Sequence, residues 1–394
     1  FTDGVSIDTV WATSEPRSMA KKLGIKKGSR LGRYHVVEDI LGEGGYGIVA
    51  KCRNTGTTKI EAVKVNKREK GVLEVAMNEI AILNRLRRLN PDTCNIVQCN
   101  GFFYDKENIC ISFELLDLSL QDYLQEKNPR GLTTRELRPI LYQLATALSH
   151  LHSSGIIHAD LKPANVMVVN RHEQPPKVKL IDFGLAHLVS AVIQGEWMGT
   201  LHYSAPELLL GVPFNESVDM WALGLLMVEL ATGCQLYPGK TGYDVLRFIF
   251  EMQGQPCDDE FGRSRWRFKT PDQKIFVSLI KSMLSLDAGR RITAQEVLKH
   301  RFFAPSLYQN STDFNARSPV PPLSTTLAGS IKVRLHASLL EKSVSRFHMK
   351  PIQTTSAAST KVRLHASQLE KSVSRFHMKP TQTTSAASTK SNAS

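Results

Sequence analysis

The stretch His158-Ala159-Asp160-Leu161-Lys162-Pro163-Ala164-Asn165 brings a carboxylate, an amine and an amide close together along the chain. Asp160 is spaced to accept a proton from a hydroxyl nucleophile, Lys162 to steady a transferring phosphoryl group, and Asn165 to ligate a metal. Further on, Asp182-Phe183-Gly184 ends the apolar run KVKLID. An acid there, beside a conformationally free glycine, suits a second oxygen ligand for Mg²⁺. Ala205-Pro206-Glu207 follows downstream. Each tripeptide alone occurs by chance; their order and joint spacing carry the information.

Upstream, Gly42-Glu43-Gly44-Gly45-Tyr46-Gly47-Ile48-Val49 contains GxGxxG. Dinucleotide-binding folds use the same spacing between a strand and a helix. Here a strand-like run, GIVAKCRN, follows, so the glycines belong to a hairpin turn able to lay its backbone over phosphates. Ala62-Val63-Lys64-Val65 comes next, with Lys64 alternating to the face opposite Val63 and Val65. Glu79 falls on the apolar stripe Val72, Ala76, Leu83, Leu86 of a helix expected from about Val72 to Leu89. A carboxylate on an inward face needs a partner. Lys64 supplies one and remains able to hold nucleotide phosphates.

The elements that must position these groups fall into two regions. From Tyr34 to about Glu114, β-type runs dominate: YHVVEDIL, GIVAKCRN, KIEAVKVN, IVQCNGFF and NICISFE. Asn54-Thr55-Gly56 and Asp105-Lys106-Glu107-Asn108 supply turn chemistry between them. Beyond residue 117 the pattern turns helical. Leu137, Ile140, Leu141, Leu144, Leu148 and Leu151 mark an amphipathic helix ending near Ser153-Ser154-Gly155, and Val218 to Ala231 reads as a buried helix. The fold class expected is α+β, a small β-rich lobe followed by a larger, mainly helical one.

Composition bounds the rest. The chain has 394 residues and a net charge of +13. That excess sits in the flanks: residues 1–33 carry 7 Lys/Arg against 3 Asp/Glu, residues 304–394 carry 12 against 3, and 34–303 has 31 of each. Segments 332–360 and 361–389 match at 27 of 29 positions, too few copies to bury a shared core, so 304–394 reads as a basic low-complexity tail. Residues 1–33 read as a basic flexible flank. The longest apolar stretch, Met220 to Leu230, carries Glu229 and is too short to span a bilayer, so no membrane association is expected. Six scattered Cys, at 52, 94, 99, 110, 234 and 257, give neither a disulfide framework nor zinc-ligand spacing.

With all these motifs in order, residues 34–303 resemble the protein kinases. The resemblance implies a bilobal kinase fold, with an N-lobe over 34–116 and a C-lobe over 117–303. It implies ATP as cosubstrate with Mg²⁺, Asn165 and Asp182 as metal ligands, and Asp160, Lys162, Lys64 and Glu79 as the catalytic group. The glycine-rich loop Leu41, Gly42, Glu43, Gly44, Gly45, Gly47 would cover the phosphates. Val49, Ala62 and Met167 would sandwich the adenine, Phe113 would be the gatekeeper, and Glu114 to Leu116 the hinge. Asp219 would anchor the catalytic loop, and Arg291 would pair with Glu207.

HADLKPAN, GVPFNESVDMWALG, LYPG, WRFKTP and DAGRRIT resemble the homeodomain-interacting protein kinases, within the dual-specificity tyrosine-regulated group. The activation segment departs from their pattern: Trp197 stands at the autophosphorylated tyrosine, Ser204 at the arginine before APE, and Ala159 where most kinases carry arginine. Activation without tyrosine phosphate is therefore expected, and a preference for proline after the target residue loses support. The function expected is a Ser/Thr protein kinase, with dual-specificity autophosphorylation left open. The alternative is a catalytically weak pseudokinase serving as a scaffold for nuclear regulators. Protein substrates are the expected partners, with transcription regulators reached through the basic flanks. A monomer is expected in nucleus or cytoplasm, and direct nucleic-acid binding has only flanking charge behind it.

Overall fold

In the computed structural model, residues 19–192, 198–253 and 270–304 are described. A short helix, α1 (Met19–Leu23), precedes six strands: β1 (Arg30–Leu31), β2 (His35–Gly44), β3 (Gly47–Asn54), β4 (Ile60–Asn66), β5 (Cys99–Asp105) and β6 (Asn108–Glu114). They form one antiparallel sheet in the order β1-β2-β3-β4-β6-β5. Alternation gives the sheet two buried faces. Ile48, Ala50, Val63, Val65 and Cys110 point to the outer one, which Ala20, Ile25 and Leu31 cover. The flank expected to be flexible is thus corrected over residues 19–33. Those three apolar side chains bury against the sheet, and β1 pairs with β2.

Between β4 and β5 lies α2 (Lys70–Leu86), which packs on the inner face through Ala76, Ile80, Leu83 and Leu86. Its apolar stripe is the one read from the sequence, and Glu79, 1% exposed, lies on it. The run IVQCNGFF becomes strand only from Cys99. Ile96 instead bridges Leu180, with Val97 N donating to Leu180 O at 3.0 Å and Leu180 N to Asn95 O at 2.9 Å. Those backbone groups stitch the loop after α2 onto the second region.

After β6 the chain enters β7 (Leu118–Ser119), α3 (Leu120–Lys127) and α4 (Thr134–Ser153). A reciprocal cap starts α4: Glu136 N donates to Thr133 Oγ1, and Thr133 N donates to Glu136 Oε2 at 2.9 Å. Then follow β8 (Ile156–Ile157), β9 (Val166–Val168), β10 (Val178–Leu180) and β11 (His187–Leu188). β10, β9 and β7 form a small sheet, and β11 pairs with β8. The helices α5 (Pro206–Leu209), α6 (Ser217–Thr232), α7 (Gly242–Gln253), α8 (Pro271–Met283) and α9 (Ala294–Leu298) complete this lobe. The two-lobed α+β architecture is therefore as expected.

One core runs from α2 through Leu137, Ile140, Leu141, Leu144, Leu148 and Leu151 of α4 into α6. Leu144 is fully buried. Leu144→Ala should destabilise the protein by about 2–5 kcal/mol, through lost transfer energy and the cavity left behind. Equilibrium denaturant unfolding would check it. No helix among the described residues is long and apolar enough to cross a membrane. Cys52, Cys94, Cys99, Cys110 and Cys234 are free thiols, and burial pushes Cys52 and Cys110 up to about 12.

Candidate active site

The register of the large sheet gathers the upstream residues. Val49 faces Lys64 and Lys64 faces Ile111, while Ala62 faces Phe113, so Val49, Ala62, Lys64 and Phe113 share the inner face. The hairpin between β2 and β3 brings Leu41, Gly42, Glu43, Gly44, Gly45 and Gly47 to one end of that face. Gly47 admits no side chain: an added Cβ would lie 1.9 Å from Val65 O. Glu43 is tied to the segment before the sheet, accepting a 2.5 Å bond from Met19 N.

Lys64 Nζ donates to Glu79 Oε2 and to Asp182 Oδ1, each at 2.8 Å. The expected Lys64–Glu79 pair is thus present, and it extends across the lobes. Burial by itself would strip the ammonium of its charge, but Glu79 and Asp182 outweigh it and lift Lys64 above the usual lysine range. Asp182 moves the other way: against the penalty of burial, Lys64 holds its carboxyl below the ordinary value. Asp182 adopts a left-handed backbone, φ 61°, without being glycine. Next to it, Phe183 is fully buried and packs edge-on to His158, with ring centroids 5.2 Å apart.

Asp160 sits at the centre of a second cluster. Lys162 Nζ and Asn165 Nδ2 each donate to its Oδ2 at 2.9 Å, and Thr200 Oγ1 donates to its Oδ1 at 2.6 Å. Lys162 Nζ also donates to Thr200 Oγ1 at 2.8 Å, closing a triangle. Gly199 makes this approach feasible. Its φ is +87°, and a Cβ there would lie 2.3 Å from Ala159 O.

Asp219, on α6, holds the loop from below. His158 N donates to its Oδ2 and Ala159 N to its Oδ1, both at 2.9 Å, while His152 Nε2 lies 3.0 Å from Oδ2. Burial opposes the Asp219 charge, but these partners hold the carboxyl below its usual range. They also keep Ala159 left-handed, at φ 64°. Arg291 pairs with Glu207, with Nη2 to Oε2 at 3.0 Å, and both are buried.

The amide NH₂ of Asn165 is engaged by Asp160, and no partner meets Asn165 Oδ1 among the described residues. One oxygen of Asp182 is taken by Lys64. The remaining oxygens are hard donors of the kind Mg²⁺ prefers, so this pair fits a divalent cation carried on phosphates. Met167, half-buried on β9, lies between the pairings of β9 with β10 and β7. Leu116 is buried in the core, leaving its backbone for a ligand.

Several contacts at the site had no signal in the sequence. Glu114 faces the outer side of the sheet, where buried Lys179 donates to its Oε1 at 2.5 Å. Asn78 Nδ2 donates to Ala186 O at 2.8 Å, tying α2 to the segment after Gly184. Tyr203 OH donates to Glu229 Oε2 at 2.5 Å, and burial together with that carboxylate raises the Tyr203 hydroxyl above its ordinary range. Ser204 is buried, its hydroxyl donating to Thr200 O at 3.2 Å. Trp197 and the tail repeats lie outside the described residues.

Comparison with known proteins agrees with this geometry. The family model "Protein kinase domain" matches residues 34–303. Homeodomain-interacting protein kinase 1 of Mus musculus is 35% identical over 333 residues, covering 69% of this chain and 27% of that protein. Homeodomain-interacting protein kinase 1 of Caenorhabditis elegans is 42% identical over 228 residues, 58% of this chain and 27% of that protein. Homeodomain-interacting protein kinase 4 of Homo sapiens is 40% identical over 225 residues, 57% of this chain and 36% of that protein. The chain thus spans about a quarter to a third of the length of the curated relatives it matches. The sheet over a helical lobe, the lysine shared between Glu79 and Asp182 and the family match meet in one conclusion: the chain has the bilobal kinase fold and belongs to the protein kinase family.

Proposed function

We propose that the chain transfers the γ-phosphoryl group of MgATP to Ser/Thr hydroxyls of protein substrates. The observation that carries this reading is the closed contact among Asp160, Lys162 and Thr200, reached from two distant parts of the chain. Asp160 accepts the proton of the attacking hydroxyl through a carboxylate already oriented by three donors. Lys162 holds positive charge beside the oxygens of the transferring group. Lys64, kept protonated by its two carboxylates, grips the phosphates from the opposite lobe. Asn165 and Asp182 would hold Mg²⁺, which offsets phosphate charge when bound. The backbone of Glu114 and Leu116 takes the adenine edge, under Val49 and Ala62 and over Met167.

Thr200 serves as a positioning residue between Asp160 and Lys162. Thr200→Val removes one bond to each charged partner, and such bonds contribute about 1.5–3 kcal/mol. Turnover should fall about ten- to a hundredfold with KM for ATP nearly unchanged, which steady-state kinetics would show. The relatives' names point to homeodomain proteins as partners, and we extend that to transcription regulators as substrates of this chain, in the nucleus. Phosphoamino-acid analysis of a generic acceptor protein labelled by the purified chain tests the reading. Phosphoserine and phosphothreonine are expected; label confined to phosphotyrosine would contradict it.

A further inference from the structure

Behind the N-lobe, away from Asp160 and Asp182, a cleft of about 490 Å³ opens around the β5 edge of the sheet, with the C-terminal end of α2 and the loop that follows it on one side and Glu61, Phe103 and Ser112 of the outer face on the other. That volume lies in the range of about 300–1,000 Å³ typical of ligand sites. Its floor is mostly apolar, with Leu83, Leu86, Leu89, Ile96 and Phe103. At its far end Glu61 is buried and fully engaged. Ser112 Oγ donates to Oε2 at 2.7 Å, His35 Nε2 lies 2.8 Å away, and Asn100 Nδ2 donates to Oε1 at 3.1 Å. Burial opposes the Glu61 charge, yet these bonds hold its carboxyl below the usual range.

The mouth is basic. Lys59 and Arg87 line the cleft, and Arg85 and Arg88 stand beside Arg87 in sequence at the end of α2. All four are exposed, and none has an ion-pair partner among the described residues. The nearby acids are Asp92 on the loop, Glu61, whose oxygens are already taken, and Glu114, whose Oε1 accepts from Gln98 N and Lys179 Nζ. Along the same side runs β5, the last strand of the sheet, so one backbone edge of it is unpaired. Phe102 on β5 is 48% exposed and lines the cleft.

We propose that this cleft docks an extended acidic segment of a partner protein, anchored by one apolar side chain. The segment adds to the β5 edge through its backbone, its anchor enters the floor between Leu86 and Phe102, and its carboxylates meet Lys59 and Arg87. Charge selects the source. The flanks of this chain carry net positive charge and are repelled by the basic mouth, so the occupant comes from another protein. An apolar floor with a single open edge favours a peptide over a nucleic-acid strand, whose phosphates would find cations but whose sugars would face leucines.

The test uses the full chain and a fluorescein-labelled peptide, Asp-Glu-Asp-Leu-Phe-Glu-Asp, with a benzophenone side chain replacing Phe in a second version. Binding is read by fluorescence polarisation for wild type and for Lys59→Glu/Arg87→Glu. Both positions are exposed, and neither belongs to the phosphotransfer machinery. The expected results are an affinity about tenfold or more weaker in the double variant, unchanged phosphotransfer and melting temperature, and crosslinks mapping to residues 83–103. Because the variant keeps the same basic tail, the difference reads the cleft alone. Equal affinity in the two proteins, crosslinks confined to residues 304–394, or tighter binding of a thymidine oligonucleotide than of the peptide would overturn the proposal.

Discussion

Asp182→Asn is expected to leave the protein folded and to lower phosphotransfer by about 10²–10⁴. The amide keeps the shape of the carboxylate and an oxygen for Lys64 Nζ, now 2.8 Å from Oδ1, but not the negative charge. A metal-held phosphate loses several kcal/mol of charge stabilisation, and each 1.36 kcal/mol is about a factor of ten in rate. Lys64→Met should lower activity as steeply but for a different reason. It leaves Glu79, 1% exposed, without the cation that faces it, and an uncompensated buried carboxylate costs about 3–5 kcal/mol. The two variants therefore separate in a melting experiment: Asp182→Asn near wild type, Lys64→Met well below. Wild-type turnover in purified Asp182→Asn would remove the metal-holding role from this residue.

A loss of stability as large as that of Lys64→Met is expected from Arg291→Ala. The Arg291 side chain is wholly buried; its Nη2 meets Glu207 Oε2 at 3.0 Å, Nη1 donates to Ser217 O at 2.9 Å, and Nε donates to Ser285 O at 3.1 Å. Its guanidinium also lies 5.2 Å from the ring centre of Trp221. Truncation strands the Glu207 carboxylate, 6% exposed, at about 3–5 kcal/mol, a fall in melting temperature on the order of 10 °C for a domain of this size. Arg291→Met combined with Glu207→Leu should recover much of that loss, because a buried pair exchanged for apolar side chains is often nearly neutral. A melting temperature for Arg291→Ala within 2 °C of wild type, by about the same scaling, would show that this pair does not hold α5 to the segment before α9.

The parts of the site legible in the sequence are those with a local reason. Lys64 and Glu79 could be paired because alternation on β4 and the stripe on α2 both point inward, and each buried charge needs the other. Asp160, Lys162 and Asn165 stand within one turn of chain, so their convergence follows from spacing. Contacts made across long sequence gaps left no such trace. Lys179 reads as an ordinary strand lysine until β10 is placed behind Glu114. Ile96 and Val97 look like the start of β5 because they are apolar and β-branched, yet their backbone groups are taken by Leu180. Residues 19–33 read as flank because every charge in them is basic, six Lys and Arg among fifteen residues. Ala20, Ile25 and Leu31 nevertheless suffice to cover the sheet. The left-handed backbones of Ala159 and Asp182 had no glycine to announce them and are held by tertiary bonds.

The central claim, that the groups around Asp160 transfer phosphate, is tested most directly by one comparison. Purified wild type and Asp160→Asn are incubated with Mg²⁺, γ-labelled ATP and an acceptor protein, with ATP binding measured in parallel. Wild type is expected to transfer phosphate, and Asp160→Asn to bind ATP equally well with transfer lower by about 10²–10⁴, the span of general base catalysis. Equal transfer by the two proteins, or none by wild type that binds MgATP, would contradict it.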